Sequence, residues 1–374
     1  MKAALAALAA AGLAVAALSA APAERVIIGY VFVQDRLLDP REIAGDKLTH
    51  VNYAFADIRD GRVVEGFARD AENFRALAAV RARHPRFRVL VSVGGWTWSG
   101  GFSDMAATPE GRARFVASAV DFVRRHDLDG FDVDWEYPGL PGAGNPHRPE
   151  DKQNFTALMS ELRAALDRDG AARRRKLLLT LAAGASPDFL EHTEMDKVAA
   201  VSDFVNLMTY DFRVAGEAGL AGHHANLFPH PADPRQRSAD GAVREFLAAG
   251  VPASKLVLGV PFYGRAWVLE TAEGDGLYRP GKAPAERLDT KYGALSTALV
   301  NRDGFVRRWD AGAQAPYLWN GDRRVFVSYE DPESLRIKAR YVAQKGLAGV
   351  MFWEYGADPT GALLDVLHRE LNRR

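Results

Sequence analysis

Short apolar runs of strand length recur along the chain at 26–33, 48–58, 87–93, 128–134, 176–182, 204–210, 256–263 and 347–353. Most are apolar at successive positions, as expected for parallel strands covered on both faces. Helical patterns fill the gaps. Thr108-Pro109-Glu110 supplies an N-cap and an N1 proline, and Phe115, Ala119, Phe122 and Val123 form the stripe that follows. Asp331-Pro332-Glu333 opens a second helix, with Leu335, Ala339, Val342 and Ala343 on its buried face and Gly346 as its stop. Residues 151–166, 241–249 and 359–371 read the same way.

Eight strand candidates alternating with helices predict an α/β fold of the (β/α)8 TIM-barrel kind, occupying residues 24–374. A doubly wound open sheet is the alternative that strand counting leaves open. No G-x-G-x-x-G follows the first strand and no G-x-x-x-x-G-K-[ST] occurs, which removes support from nucleotide-binding versions. Spacing is regular except between strands 7 and 8. There, 266–326 carries Tyr292, Phe305, Trp309, Tyr317 and Trp319 among turn residues, and reads as a small α+β insertion between strand 7 and helix 7.

Residues 1–23 hold one Lys, an Ala/Leu run and then small residues, the layout of a secretory signal peptide. Export to the periplasm or medium of a bacterium follows, with an uncleaved membrane anchor as the alternative; no membrane association is expected once the leader is removed. The 374 residues carry 48 Lys+Arg and 48 Asp+Glu, so nothing in the charge favours a nucleic-acid partner. Cysteine is absent, which excludes a disulfide framework, a thiolate metal site and a cysteine nucleophile.

The informative segment runs from Asp129 to Pro138, DGFDVDWEYP. Side chains alternate along a strand, so Asp132, Asp134 and Glu136 share one face and Phe131, Val133 and Trp135 the other. In a barrel the apolar set packs against helices, which turns the acids inward and leaves Glu136 at the C-terminal end. Three stacked acids in a partly desolvated space cannot all ionise cheaply, so at least one pKa must rise, as a general acid requires. A solvated acidic edge strand and a calcium or magnesium site are the bland readings. The first does not fit a parallel barrel, and the second lacks a ligand loop.

These residues resemble the D-G-x-D-x-D-W-E-Y-P signature of glycoside hydrolase family 18, the chitinase family. Ser92-Val93-Gly94-Gly95-Trp96 is similar to its S-x-G-G motif, and Met208-Thr209-Tyr210-Asp211 to its M-x-Y-D. The 259–265 and 349–353 segments resemble its seventh and eighth strands. The segment from Gly304 to Asp331 resembles the insertion of the deep-cleft subfamily.

That resemblance implies a substrate-assisted retaining mechanism on β-1,4-linked N-acetylglucosamine in chitin or its oligomers. Glu136 would be the acid/base and Asp134 would align the acetamido group. Asp132 would share a proton with Asp134 and help tune Glu136, while Tyr210 would donate to the acetamido oxygen. Trp353 and Trp96 would stack sugars; Asp211, Met208, Tyr137, Tyr263 and Arg265 would line the cleft. Tyr30 and Ser92 would support Asp132, with Asp129, Gly94 and Gly95 as further structural supports. Arg265 has a second reading as an ion-pair partner for the insertion. His223 and His224 point apart at i,i+1 and read as structural. No metal or cofactor is expected, and the chain is expected to be monomeric. Where the family follows Y-D-F with His-Gly-x-Trp, this chain has Arg213-Val214-Ala215-Gly216, which bears on chain-length preference. Rival functions are an endo-N-acetylglucosaminidase on peptidoglycan or N-glycans, and a lectin that binds without turnover.

Overall fold

The computed structural model describes residues 24–216 and 219–373, so the leader expected over residues 1–23 lies outside the described residues. Eight parallel strands are present: β1 (Val26–Val31), β2 (His50–Arg59), β3 (Arg88–Gly94), β4 (Gly130–Asp134), β5 (Leu178–Gly184), β6 (Phe204–Met208), β7 (Leu256–Pro261) and β8 (Gly349–Trp353). β1 pairs with both β2 and β8, which closes the ring and excludes the open sheet. Each strand falls on one of the apolar runs.

Two cores follow from the alternation of side chains. Phe131, Val133 and Trp135 join Phe115, Phe122, Phe155 and Leu158 in the large layer between barrel and helices. Tyr30, Ala54, Phe55, Ala182, Met208 and Met351 form a smaller layer within the ring. Burying the first set against helices is what leaves the alternate positions of β4 facing inward.

The helix starts follow their capping chemistry. Thr108 Oγ1 accepts from Gly111 N–H at 3.0 Å ahead of the helix Pro109–Arg125. Asp331 and Ser334 form a capping box ahead of Pro332–Lys345, and Gly346 ends that helix at a φ of 65°. The helix expected from 151 starts at Asp151 and continues to Ala172. The last helix corrects the sequence reading: it begins at Ala362, not at Pro359. Asp358 accepts from Thr360 N–H and Leu363 N–H, folding 359–361 into a turn that delays the first helical residue.

Between β7 and the helix Pro332–Lys345 lies a five-stranded antiparallel sheet, in the order Gly281–Lys282, Arg265–Leu269, Val325–Ser328, Ala315–Asn320, Val306–Asp310. The helical turns Tyr292–Ala294 and Leu295–Leu299 accompany it. Trp267, Leu269, Tyr317, Trp319 and Phe326 give the sheet a core of its own. Its strands run from Arg265 to Ser328, slightly wider than 266–326. Arg265 thereby stands at the junction of sheet and barrel, directly after β7.

Candidate active site

β4 carries the acids in a vertical series. Asp132 is fully buried and gathers donors from four other strands: Tyr30 Oη at 2.8 Å, Ser92 Oγ at 2.7 Å, Thr180 Oγ1 at 2.5 Å and Asn206 Nδ2 at 3.3 Å. Burial raises its pKa and these donors pull the other way. Asp134, one step up, has an Oδ1 that is buried without a hydrogen-bond partner. Its pKa is pushed well up, by burial first, then by the charge of Glu136, then by that of Asp132. Glu136 sits above the strand end, its backbone N–H held by Ser99 Oγ at 2.9 Å. Burial pushes its carboxyl up to about 7; the adjacent Tyr137 hydroxyl opposes this and the charge of Asp211 adds to it. A carboxylic acid that remains protonated near neutrality can deliver a proton to a buried acceptor.

Burial is the main cause of the rise at Glu136, with the charge of Asp211 adding to it, while Asp132 acts on the acid between them, Asp134. The oxygens of Asp132 are engaged by Tyr30, Ser92, Thr180 and Asn206.

Asp211 follows β6 with a φ of 57°, in the left-handed region. Arg265 grips it with two hydrogen bonds, Nε to Oδ1 at 2.7 Å and Nη2 to Oδ2 at 2.6 Å. Tyr263 Oη donates to Oδ2 at 2.8 Å, and His224 Nδ1 lies 3.3 Å from Oδ1. Burial opposes ionisation, but the His224 hydrogen bond and then the Arg265 guanidinium hold its carboxyl far below the usual carboxylate range, so it is ionised. The contact of Arg265 with Asp211 is the ion pair of the second reading of Arg265, which ties the inserted sheet to the segment after β6. Tyr210, just before, has only Met351 Sδ at 3.9 Å as a hydroxyl partner among the described residues.

The glycines at the end of β3 are required by close approach. A Cβ on Gly94, whose φ is 109°, would lie 2.2 Å from Asp134 O, and one on Gly95 would meet the Phe55 ring at 2.6 Å. Gly95 N–H donates to Asp134 O at 2.8 Å, so the pair docks β3 against the acid strand. Asp129, at the other end of β4, is held by Val89 N–H, Arg81 and Arg175. An acid series over a polar floor, opening at the C-terminal end of a barrel, is matched by one family comparison: residues 26–358 fit the family described as Glycosyl hydrolases family 18. The chain belongs to that family.

Several of the relatives this chain is similar to are named chitinases. Chitinase A1 of Niallia circulans is 38% identical over 389 residues, covering 88% of this chain and 56% of that protein, so the chain spans little more than half the relative's length. Chitinase B of Serratia marcescens is 31% identical, covering 87% of this chain and 76% of that one. Among solved structures, a glycoside hydrolase family 18 N-acetylglucosaminidase from Paenibacillus barengoltzii superposes with a TM-score of 0.86 at 42% identity, covering 92% of this chain and 99% of that one. Chitinase ChiA74 from Bacillus thuringiensis gives a TM-score of 0.86 at 36% identity, with 94% and 71% covered.

In this family 18 chain the aromatic residues gather at the strand ends. Trp353 closes β8, half-buried, stacked on Phe55 with centroids 5.5 Å apart and flanked by Tyr30 at 5.8 Å and Phe32 at 5.6 Å. Trp96 follows the glycine pair, is 52% exposed and meets Tyr137 edge-on. Met208 is buried in the inner layer. Non-proline cis peptide bonds occur at Ala54–Phe55, Glu136–Tyr137 and Trp353–Glu354.

Four contacts escaped the sequence reading. Thr180 and Asn206 complete the floor under Asp132, Ser99 holds Glu136, and His224 reaches Asp211. The first two left a signal: each is a polar residue between aliphatics, Leu179 and Leu181 or Val205 and Leu207, at an inward position of its strand. Ser99 opens the short 3-10 turn Ser99–Gly101 and left none, and His224 was legible only as a structural residue. His223 points away from His224 onto Asp310 Oδ2 at 3.0 Å.

Proposed function

We propose that this chain is a chitinase, hydrolysing β-1,4 linkages between N-acetylglucosamine units with retention at the anomeric carbon. The observation that carries the reading is Glu136, a buried carboxyl pushed up to about 7 directly above a second acid that cannot easily ionise beside it. The chitinase names of several relatives support the substrate class.

Glu136, protonated, gives its proton to the glycosidic oxygen as the bond to the departing sugar breaks. The acetamido oxygen of the preceding sugar bonds to its own anomeric carbon, and an oxazolinium ion forms. Asp134, sharing its proton with Asp132, accepts the acetamido N–H and offsets the positive charge that develops there. The Tyr210 hydroxyl, otherwise weakly engaged, donates to the acetamido oxygen. The Glu136 carboxylate then takes a proton from water, whose oxygen opens the oxazolinium ring from the same face. Trp353 stacks under the reacting sugar and Trp96 under the sugar beyond the scissile bond, where C–H faces meet aromatic rings. The chain acts on chitin outside the cytoplasm, as a monomer, after loss of residues 1–23.

A second reading has one observation behind it. The Paenibacillus protein, nearly all of whose length this chain covers, is named an N-acetylglucosaminidase, which favours release of single sugars from chain ends.

Time-resolved proton NMR on N-acetylglucosamine oligomers tests both. The chitinase reading expects β-anomer product first and no turnover by Glu136→Gln. Monosaccharide as the only initial product selects the second reading. Tight oligomer binding without turnover by the unmodified chain would show a lectin.

A further inference from the structure

We infer that His224 is a positioning residue: its buried imidazole and backbone carbonyl lock Asp211 in its left-handed conformation beside Glu136. The inference rests on the proposed hydrolase reading and deepens it. Asp211 adopts a φ of 57°, a left-handed conformation that aspartate tolerates better than most residues but that fixes where its carboxylate points. Beside the grip of Arg265 and Tyr263 on the carboxylate, two contacts from His224 reach this turn. His224 O accepts from Phe212 N–H at 3.0 Å, and His224 Nδ1 lies 3.3 Å from Asp211 Oδ1. The histidine is itself anchored, since its backbone N–H donates to Ser328 Oγ at 3.0 Å. Ser328 ends a strand of the inserted sheet and is the register partner of Arg265, the other residue gripping Asp211.

Space-filling does not account for this imidazole. His224 is wholly buried, and its Nε2 has no hydrogen-bond partner. An apolar side chain would fill the site without leaving a buried acceptor unsatisfied, so what the ring contributes is its other nitrogen. Burial keeps the imidazole neutral at ordinary pH, and the ionised Asp211 requires Nδ1 to carry the hydrogen. The charged or titratable groups around His224 are Asp211, Arg265, Lys338 and, across the ring contact, Tyr263. The groups that interact electrostatically with Glu136 are Asp134, Asp211, Tyr137 and Tyr210. Of these, Asp211 carries a settled negative charge, so where it stands bears on when Glu136 gives up its proton.

The test compares His224→Leu, which fills the space without a donor, with His224→Asn, which places an N–H near the Nδ1 position. On an N-acetylglucosamine tetramer, His224→Leu is expected to lose about tenfold in kcat/KM. Its alkaline limb should fall by about half a pH unit as Asp211 leaves its place. His224→Asn should restore both. A folded leucine variant with an unmoved limb, or an asparagine variant no better than leucine, overturns the inference. Carbon-13 NMR titration of the Glu136 carboxyl, assigned with Glu136→Gln, reads the same downward shift without substrate. A parent chain that leaves the tetramer intact would therefore refute the hydrolase reading while the titration still decides the role of His224. If the leucine variant does not fold, Ser328→Ala, which frees the His224 backbone, must move the Glu136 titration in the same direction; an unmoved titration overturns the inference.

Discussion

Tyr30 and Asp132 meet inside the barrel, the hydroxyl from β1 2.8 Å from the carboxylate Oδ2 on β4, although 102 residues separate them in the chain. Ser92 shares that oxygen, and Thr180 and Asn206 hold the other. Four strands thus fix the lowest acid from four directions. A group so fixed gives the acids above it a rigid electrostatic floor, and rigidity is what keeps Asp134 one step from Glu136.

Removing one floor donor tests this. Ser92→Ala takes a hydrogen bond from the ionised form of Asp132, which raises that carboxyl further. A fall in kcat of about fivefold with KM unchanged is expected. Steady-state kinetics on soluble oligomers would show it, and a rise in KM alone would speak against the floor.

Glu136 should govern both activity and stability. Activity is expected to fall as pH rises through about 7, where the acid loses its proton. Glu136→Gln should reduce kcat by about a thousandfold or more at unchanged oligomer affinity. A carboxyl raised in the folded state binds more protons there than in the unfolded chain, so its contribution falls as pH rises from its ordinary value of 4.5 through about 7. Glu136→Gln should therefore melt about 3 °C above the parent at pH 8 and close to it at pH 4. Calorimetry at both values checks the sign.

The two tryptophans should separate by burial. Trp96 is 52% exposed, so Trp96→Ala should leave the melting temperature unchanged and raise KM about tenfold for oligomers that extend past the scissile bond. Trp353 packs on Phe55, Tyr30 and Phe32, so Trp353→Ala should lose activity and about 2 kcal/mol of stability together.

Gly94→Ala should be among the most damaging small substitutions. The new Cβ would press on the Asp134 carbonyl, which cannot yield without moving the acid strand. A loss of about 3 kcal/mol or failure to fold is expected, read by urea denaturation.

Lys338 and Glu330 form a fully buried ion pair, and Lys338 also donates to Ala225 O. Lys338→Met should cost about 3–5 kcal/mol by stranding Glu330. Adding Glu330→Met should recover most of it, which a double-mutant cycle would quantify.

What the sequence determined alone lay in local pattern. Apolar runs of strand length, the Thr108 and Asp331 caps, and the alternation of Asp132, Asp134 and Glu136 with Phe131, Val133 and Trp135 depend on neighbours a few residues apart. Such features are legible because side-chain period and capping are short-range rules. The turn set by Asp358, which moves the helix start three residues past Pro359 to Ala362, shows the limit of even that reading. Ring closure, the four donors on Asp132, and the grip of Arg265, Tyr263 and His224 on Asp211 were decided by tertiary structure. They join residues from separate strands and loops, and a pKa set by burial exists only once those elements have closed over the carboxyl.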